Sequence, residues 1–138
     1  MKFEEILAIS GKPGLYQLTA QGRGGIIVSS LEDGKKIQIP ATAQVSALRD
    51  ISVYTYTEEV PLIEVFQKMK EQTNGAAAPS HKESARVLSE FFEQVLPEYD
   101  QDRVYSSDIK KIVQWYNKLL QLDLLETVEE DDKQEEKA

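Results

Sequence analysis

GLYQLTAQGRGGIIVSSLEDGKKIQIPA (residues 14–41) reads as three short strands joined by two tight turns. Segments 15–21, 26–31 and 36–41 carry the β-branched and aromatic residues that suit a pleated, half-buried surface. Gly22-Arg23-Gly24-Gly25 and Glu32-Asp33-Gly34-Lys35 separate them. Asp33-Gly34 is a hairpin signal, because both residues tolerate positive φ. The three segments therefore predict an antiparallel meander.

Outward from this meander, ISVYTYT (51–57) predicts a fourth strand, and TAQVSALRD (42–50) holds room for one helical turn. Upstream, FEEILA (3–8) predicts a short helix or lead-in. ISGKPGLY (9–16) contains G-x-x-G with a lysine inside, the outline of an RNA-gripping loop. Such a loop needs a helix on both sides. The segment after it is strand-like, so Pro13-Gly14 is expected to form a type II turn that feeds the first strand.

Pro61 opens a helix, where its missing N–H costs nothing. Leu62, Val65, Phe66 and Met69 form one apolar stripe behind it. TNGAAAP (73–79) reads as a linker. Ser80 with Glu83 predicts the capping box of a second helix, with Leu88, Phe91, Phe92 and Val95 inward and Pro97 ending it. Ser106 or Ser107 is expected to cap a third, whose stripe is Ile109, Ile112, Val113, Tyr116, Leu119 and Leu120.

The expected class is α+β: a small SH3-like antiparallel barrel or bent sheet with a packed helix, then a helical pair. The boundaries read from the pattern are a β-rich domain (1–72), a linker (73–79), a helical pair (80–126) and an acidic disordered tail (127–138). Two helices alone bury little, so the pair must dock on the β-domain, dimerise or meet a partner.

The 138 residues carry net charge −8, distributed unevenly. Residues 1–70 hold 8 basic and 8 acidic residues, 71–126 hold 6 and 10, and 127–138 hold 2 and 6. Nucleic acid repels such a chain as a whole and requires a local basic patch. With no cysteine, disulfides, thiolate metal sites and thiol nucleophiles are excluded. No apolar stretch approaches the roughly 20 residues of a membrane span. The N-terminus lacks the apolar core of a signal peptide, so a cytoplasmic location is expected.

Catalytic and metal signatures are missing. His81 is the sole histidine, and no Walker loop, G-x-S-x-G or H-E-x-x-H occurs. A calcium loop starting at Asp100 requires Gly and Glu where Tyr105 and Lys111 stand. The helical pair has too long a connection and too much negative charge for a DNA-reading helix-turn-helix. A non-enzymatic binding or scaffolding protein is expected, with no cofactor, metal or membrane contact.

Trp115 flanks the last helix's stripe and, with Leu122, Leu124 and Leu125, marks a candidate protein interface or self-association surface. The alternative is single-stranded RNA or DNA binding. The meander places Lys12, Lys35 and Lys36 at one end of the sheet with Tyr16 nearby.

EILAISGKPGLYQL, QVSALRDISVYTYTEEVPLIEVF and VLPEYDQDRVYSSDIKKIVQWYNKLL, spread over residues 3–122, resemble a family of short bacterial proteins known only as a domain of unknown function. The resemblance implies a barrel-like N-terminal module and a helical C-terminal module. It assigns no catalytic or binding residue.

Overall fold

The computed structural model describes residues 2–128; the acidic segment 129–138, expected to be disordered, lies outside them. Among the described residues, seven strands and three helices run in the order β1 (Ile6–Ile9), β2 (Lys12–Gly22), β3 (Gly25–Ser30), β4 (Lys36–Pro40), β5 (Val45–Ala47), β6 (Ser52–Tyr54), β7 (Glu59–Pro61), α1 (Leu62–Thr73), α2 (Ala85–Val95) and α3 (Ser106–Gln121). The class is α+β.

The first five strands form an open antiparallel sheet, ordered β4-β3-β2-β1-β5. The meander of residues 14–41 is its larger part. Of the two expected shapes, a closed barrel and a bent sheet, the open bent sheet is the one found. Its curvature follows from chain length. β4 and β5 are opposite edges, yet only residues 41–44 connect them. Five Cα steps reach about 17 Å at most, whereas four strand spacings in a flat sheet span about 19 Å. The sheet must curl to let so short a link join its two edges. Its concave face then buries a small cluster of Ile9, Tyr16, Val28 and Ile39.

Two strands of this sheet escape the sequence pattern. FEEILA is a short 3-10 helix (Phe3–Glu5) that leads into β1, a strand the pattern did not show. β5 lies within the stretch read as irregular, ahead of the expected helical turn, which is the 3-10 turn Leu48–Asp50. Both strands are short: β5 pairs only with β1, through Leu7, Ala8 and Ile9 opposite Ala47, Ser46 and Val45, and β1 lies between β5 and β2. The pairing partner, not local propensity, makes the strand.

The corner at ISGKPGLY also differs from expectation. Ile9 pairs with Lys12, so Ser10-Gly11 is the hairpin turn, with Gly11 at φ 83°. Pro13-Gly14 instead belongs to an irregularity in β2, where Leu7 pairs with Tyr16 and extra residues bulge out opposite Ala8. Strands flank the loop on both sides, so helix N-termini do not face it.

ISVYTYT contributes β6, which leaves the main sheet and pairs with β7 (Val53 with Val60). Pro61 immediately precedes α1, and Asn74 ends it in the left-handed region at φ 55°. The cap of α2 is Ser84, whose Oγ accepts from the Val87 N–H at 3.3 Å; Ser80 lies four residues too early. α3 starts after Tyr105, so Ser106 and Ser107 lie inside the helix, and the Asp108 carboxylate reaches back to accept from the N–H of the cap residue Tyr105 at 3.0 Å.

One hydrophobic core joins the convex face of the sheet to all three helices. Phe3, Ile6 and Leu15 meet Phe66 and Met69 of α1, Leu88 and Phe92 of α2, and Tyr116 and Leu119 of α3. Phe3 sits edge-on to Phe66 at 5.9 Å between centroids, and Phe66 lies 6.2 Å from Tyr116. The helical pair thus gains its missing burial by docking on the β-region. Thr127 and Val128, placed by their sequence in the acidic tail, are both 1 % exposed, and Val128 C=O accepts from Gln67 Nε2 at 3.2 Å.

Candidate functional site

Where α3 passes the β1–β5 side of the sheet it leaves a groove. The groove consists of two depressions of about 390 and 350 Å³ that share Ser46, Ile51, Lys111 and Trp115. The first runs along the β1–β2 hairpin, past Ala8, Ser10 and Lys12. The second runs between β6 and the start of α3, past Ser52, Tyr54, Arg103 and Asp108.

The helical period explains what faces this groove. Ile112, Val113, Tyr116 and Leu119 point into the core, and Trp115 lies at the margin of that stripe, half-buried against it. Lys111 is one turn earlier on the same margin and is exposed. Arg103 sits over the Tyr54 ring at 5.1 Å, and its Nε lies 3.6 Å from Asp100 Oδ2. Lys12 and Lys111 have no ion pair among the described residues. The lining therefore holds three cations and one carboxylate, Asp108, in a chain of net charge −8.

The residues singled out from the sequence divide. Trp115 and Lys12 meet at the groove although they belong to the two different readings. Lys35 and Lys36 are exposed at the β3–β4 turn and line neither depression. Tyr16 is only 9 % exposed and packs in the concave cluster, so it offers no face for a base to stack on. Leu125 is a core residue at 8 % exposure; Leu122 and Leu124 are half-buried, and Leu124 packs on the core. Lys111, Arg103 and Tyr54 were missed. Lys111 was readable as a neighbour of Trp115 at i−4, whereas Arg103 and Tyr54 come from loops and strands that no pattern connects. Among the described residues, no group of three or more His, Cys, Asp or Glu is placed to hold a metal ion, and no helix is long and apolar enough to cross a membrane.

The fold and groove define an α+β protein with an open, curled five-stranded sheet and a three-helix layer. The chain belongs to the family described as a domain of unknown function, DUF6852, which matches residues 51–119. A second domain of unknown function, DUF5606, matches residues 3–48. The junction between the two matches falls just before β6, so β6, β7 and α1 go with the helices. A solution NMR structure of a structural-genomics target from Bacteroides vulgatus is similar, with 44 % identity, TM-score 0.76 and 88 % of each chain covered. No curated protein matches the chain. The expectation of an uncharacterised family is met.

Proposed function

We propose that this chain is a non-enzymatic binding module that holds a partner protein in the groove beside α3. The carrying observation is the gathering of Trp115, Tyr54 and Arg103 at two joined depressions. Trp, Tyr and Arg are the residue types that dominate binding energy at protein interfaces, and they do so from partly enclosed, water-poor positions. Trp115 is the sole tryptophan of the chain. Exposed Tyr56 and Tyr105, at 62 and 63 %, come from the two segments that supply Tyr54 and Arg103. Single-stranded nucleic acid is the rival reading, and the charge of −8 and the burial of Tyr16 both weigh against it. A cysteine-free chain suits a reducing compartment, and the cytoplasm is the proposed setting.

A photoreactive amino acid at Gln114, which lines the first depression, tests this in the cell that makes the protein. The expected result is a discrete protein adduct at position 114 that is lost in the Trp115→Ala background and absent when the probe is moved to Lys36. Adducts to nucleic acid, or equal labelling from both positions, would overturn the reading.

A further inference from the structure

If the groove is an interaction site, its backbone also says what kind of segment it takes. The β6–β7 ladder has a readable phase. Thr55 N–H donates to Glu58 C=O at 2.8 Å, and Leu62 N–H donates to Ile51 C=O at 2.8 Å. In an antiparallel pair these exchanges recur at every second residue. Ile51, Val53 and Thr55 thus turn their backbone polar groups toward β7, and Ser52 and Tyr54 turn theirs the other way.

On that other side, a strand partner begins and then stops. Thr55 bridges Tyr99, Tyr56 N–H donates to Glu98 C=O at 3.0 Å, and Asp100 N–H donates to Tyr54 C=O at 2.9 Å. Beyond Asp100 the chain turns away toward α3. Ser52 N–H, Ser52 C=O and Tyr54 N–H remain without a partner among the described residues. Ser52, Val53 and Tyr54 of β6 line the second depression together with Lys111, Ile112 and Trp115 of α3.

An open strand edge, an apolar floor and a cationic rim set three requirements. The ligand must supply backbone donors and acceptors at strand spacing. It must place apolar side chains on one face, toward Trp115. It must carry carboxylates for Lys111, Lys12 and Arg103. We propose that the groove takes an extended acidic segment of a partner protein, added as a strand on the free edge of β6. This rests on the groove being an interaction site. The edge from Ser52 to Tyr54 is about 7 Å long, so three or four ligand residues form the paired part, and the rest run on past Trp115 to Lys12.

The full-length protein and the capped heptapeptide Glu-Val-Glu-Val-Glu-Val-Glu test this, read by the emission of the single tryptophan and by amide hydrogen exchange. The expected result is a saturable change in Trp115 emission together with slowed exchange at Ser52 and Tyr54. Binding falls at least tenfold in Lys111→Glu and at least tenfold when residues two to six of the peptide are all N-methylated, which keeps side chains but removes the donors on both edges of the strand. Lys36→Glu, outside the groove, leaves binding within twofold. Equal binding of the lysine-for-glutamate peptide overturns the acidic preference. Equal binding of the N-methylated peptide overturns strand addition, and tighter binding of a 12-nucleotide oligo(U) assigns the groove to nucleic acid. A silent Trp115 up to millimolar peptide overturns the peptide class; a protein adduct at Gln114 in the same protein would then leave the interaction site itself standing.

Discussion

Asn117 and Ala78 are joined by a reciprocal pair of hydrogen bonds. Asn117 Oδ1 accepts from the Ala78 N–H at 2.8 Å, and Nδ2 donates to the Ala78 C=O at 3.1 Å. Nδ2 also lies 3.3 Å from the Pro79 C=O. One side chain of α3 thus satisfies the backbone of a segment that has no secondary structure of its own. Tyr116, its neighbour, donates its OH to the Ala76 C=O at 3.1 Å and lies 2.9 Å from Thr73 Oγ1. The first half of the stretch between α1 and α2 is held to α3 at Ala76, Ala78 and Pro79.

Asn117→Ala is therefore expected to destabilise the protein by about 2 kcal/mol, since it leaves the backbone groups of buried Ala78 unpaired. Asn117→Asp keeps the acceptor, loses the donor and falls between. Urea unfolding measures both. A change under about 0.5 kcal/mol for Asn117→Ala would show that water replaces the amide without loss.

Gly25 is irreplaceable for a different reason. It pairs with Pro40 at φ 149°, and a Cβ there would collide with the Ile39 carbonyl oxygen. Gly25→Ala must push β3 and β4 apart and is expected to cost about 2 kcal/mol or more. Gly24→Ala, where a Cβ meets nothing within 4 Å, is the control and stays within about 0.5 kcal/mol. Thermal unfolding of the two variants separates backbone crowding from a general intolerance of the turn.

Tyr16 gives a test that divides packing from recognition. Its truncation to alanine removes a ring from the small concave cluster and is expected to cost about 3 kcal/mol. The Lys35→Ala, Lys36→Ala double variant changes two exposed side chains and stays within about 0.5 kcal/mol. Equal and small effects from both would mean that the concave cluster contributes little to stability.

The start of α2 distinguishes two serines. Ser84→Ala removes the cap on the Val87 N–H and is expected to cost about 1 kcal/mol. Ser80 Oγ accepts from the Lys82 N–H at 3.1 Å in an exposed turn, so Ser80→Ala is expected to cost less than about 0.5 kcal/mol. Helicity and unfolding midpoints of both variants report which serine begins the helix.

The two serines also show how far sequence reading reaches. S-x-x-E at 80–83 satisfies the capping pattern, yet the helix begins one turn later, because the true cap is chosen by where Leu88 and Phe92 must sit in the core. Similarly, Pro13-Gly14 satisfies a turn pattern, but the register of β1 on β2 makes Ser10-Gly11 the turn. A local pattern states what a segment can do. Pairing and packing choose among the local options.

What the sequence by itself determined is the part set by short-range physics. β-rich segments and Asp33-Gly34 made the meander, 3.6-residue stripes made the three helices, and the small size of the helical pair required it to find a surface to cover. Only the tertiary structure decided the rest. β5 exists because β1, remote in the chain, supplies its hydrogen bonds, and β1 is held between β5 and β2. Tyr16 is inside because the four-residue link from β4 to β5 forces the sheet to curl over it. Trp115 stands beside Lys12, Tyr54 and Arg103 because α3 folds back along the sheet edge. Such contacts depend on chain segments remote in sequence, and no local pattern encodes which distant surface a half-buried side chain will meet.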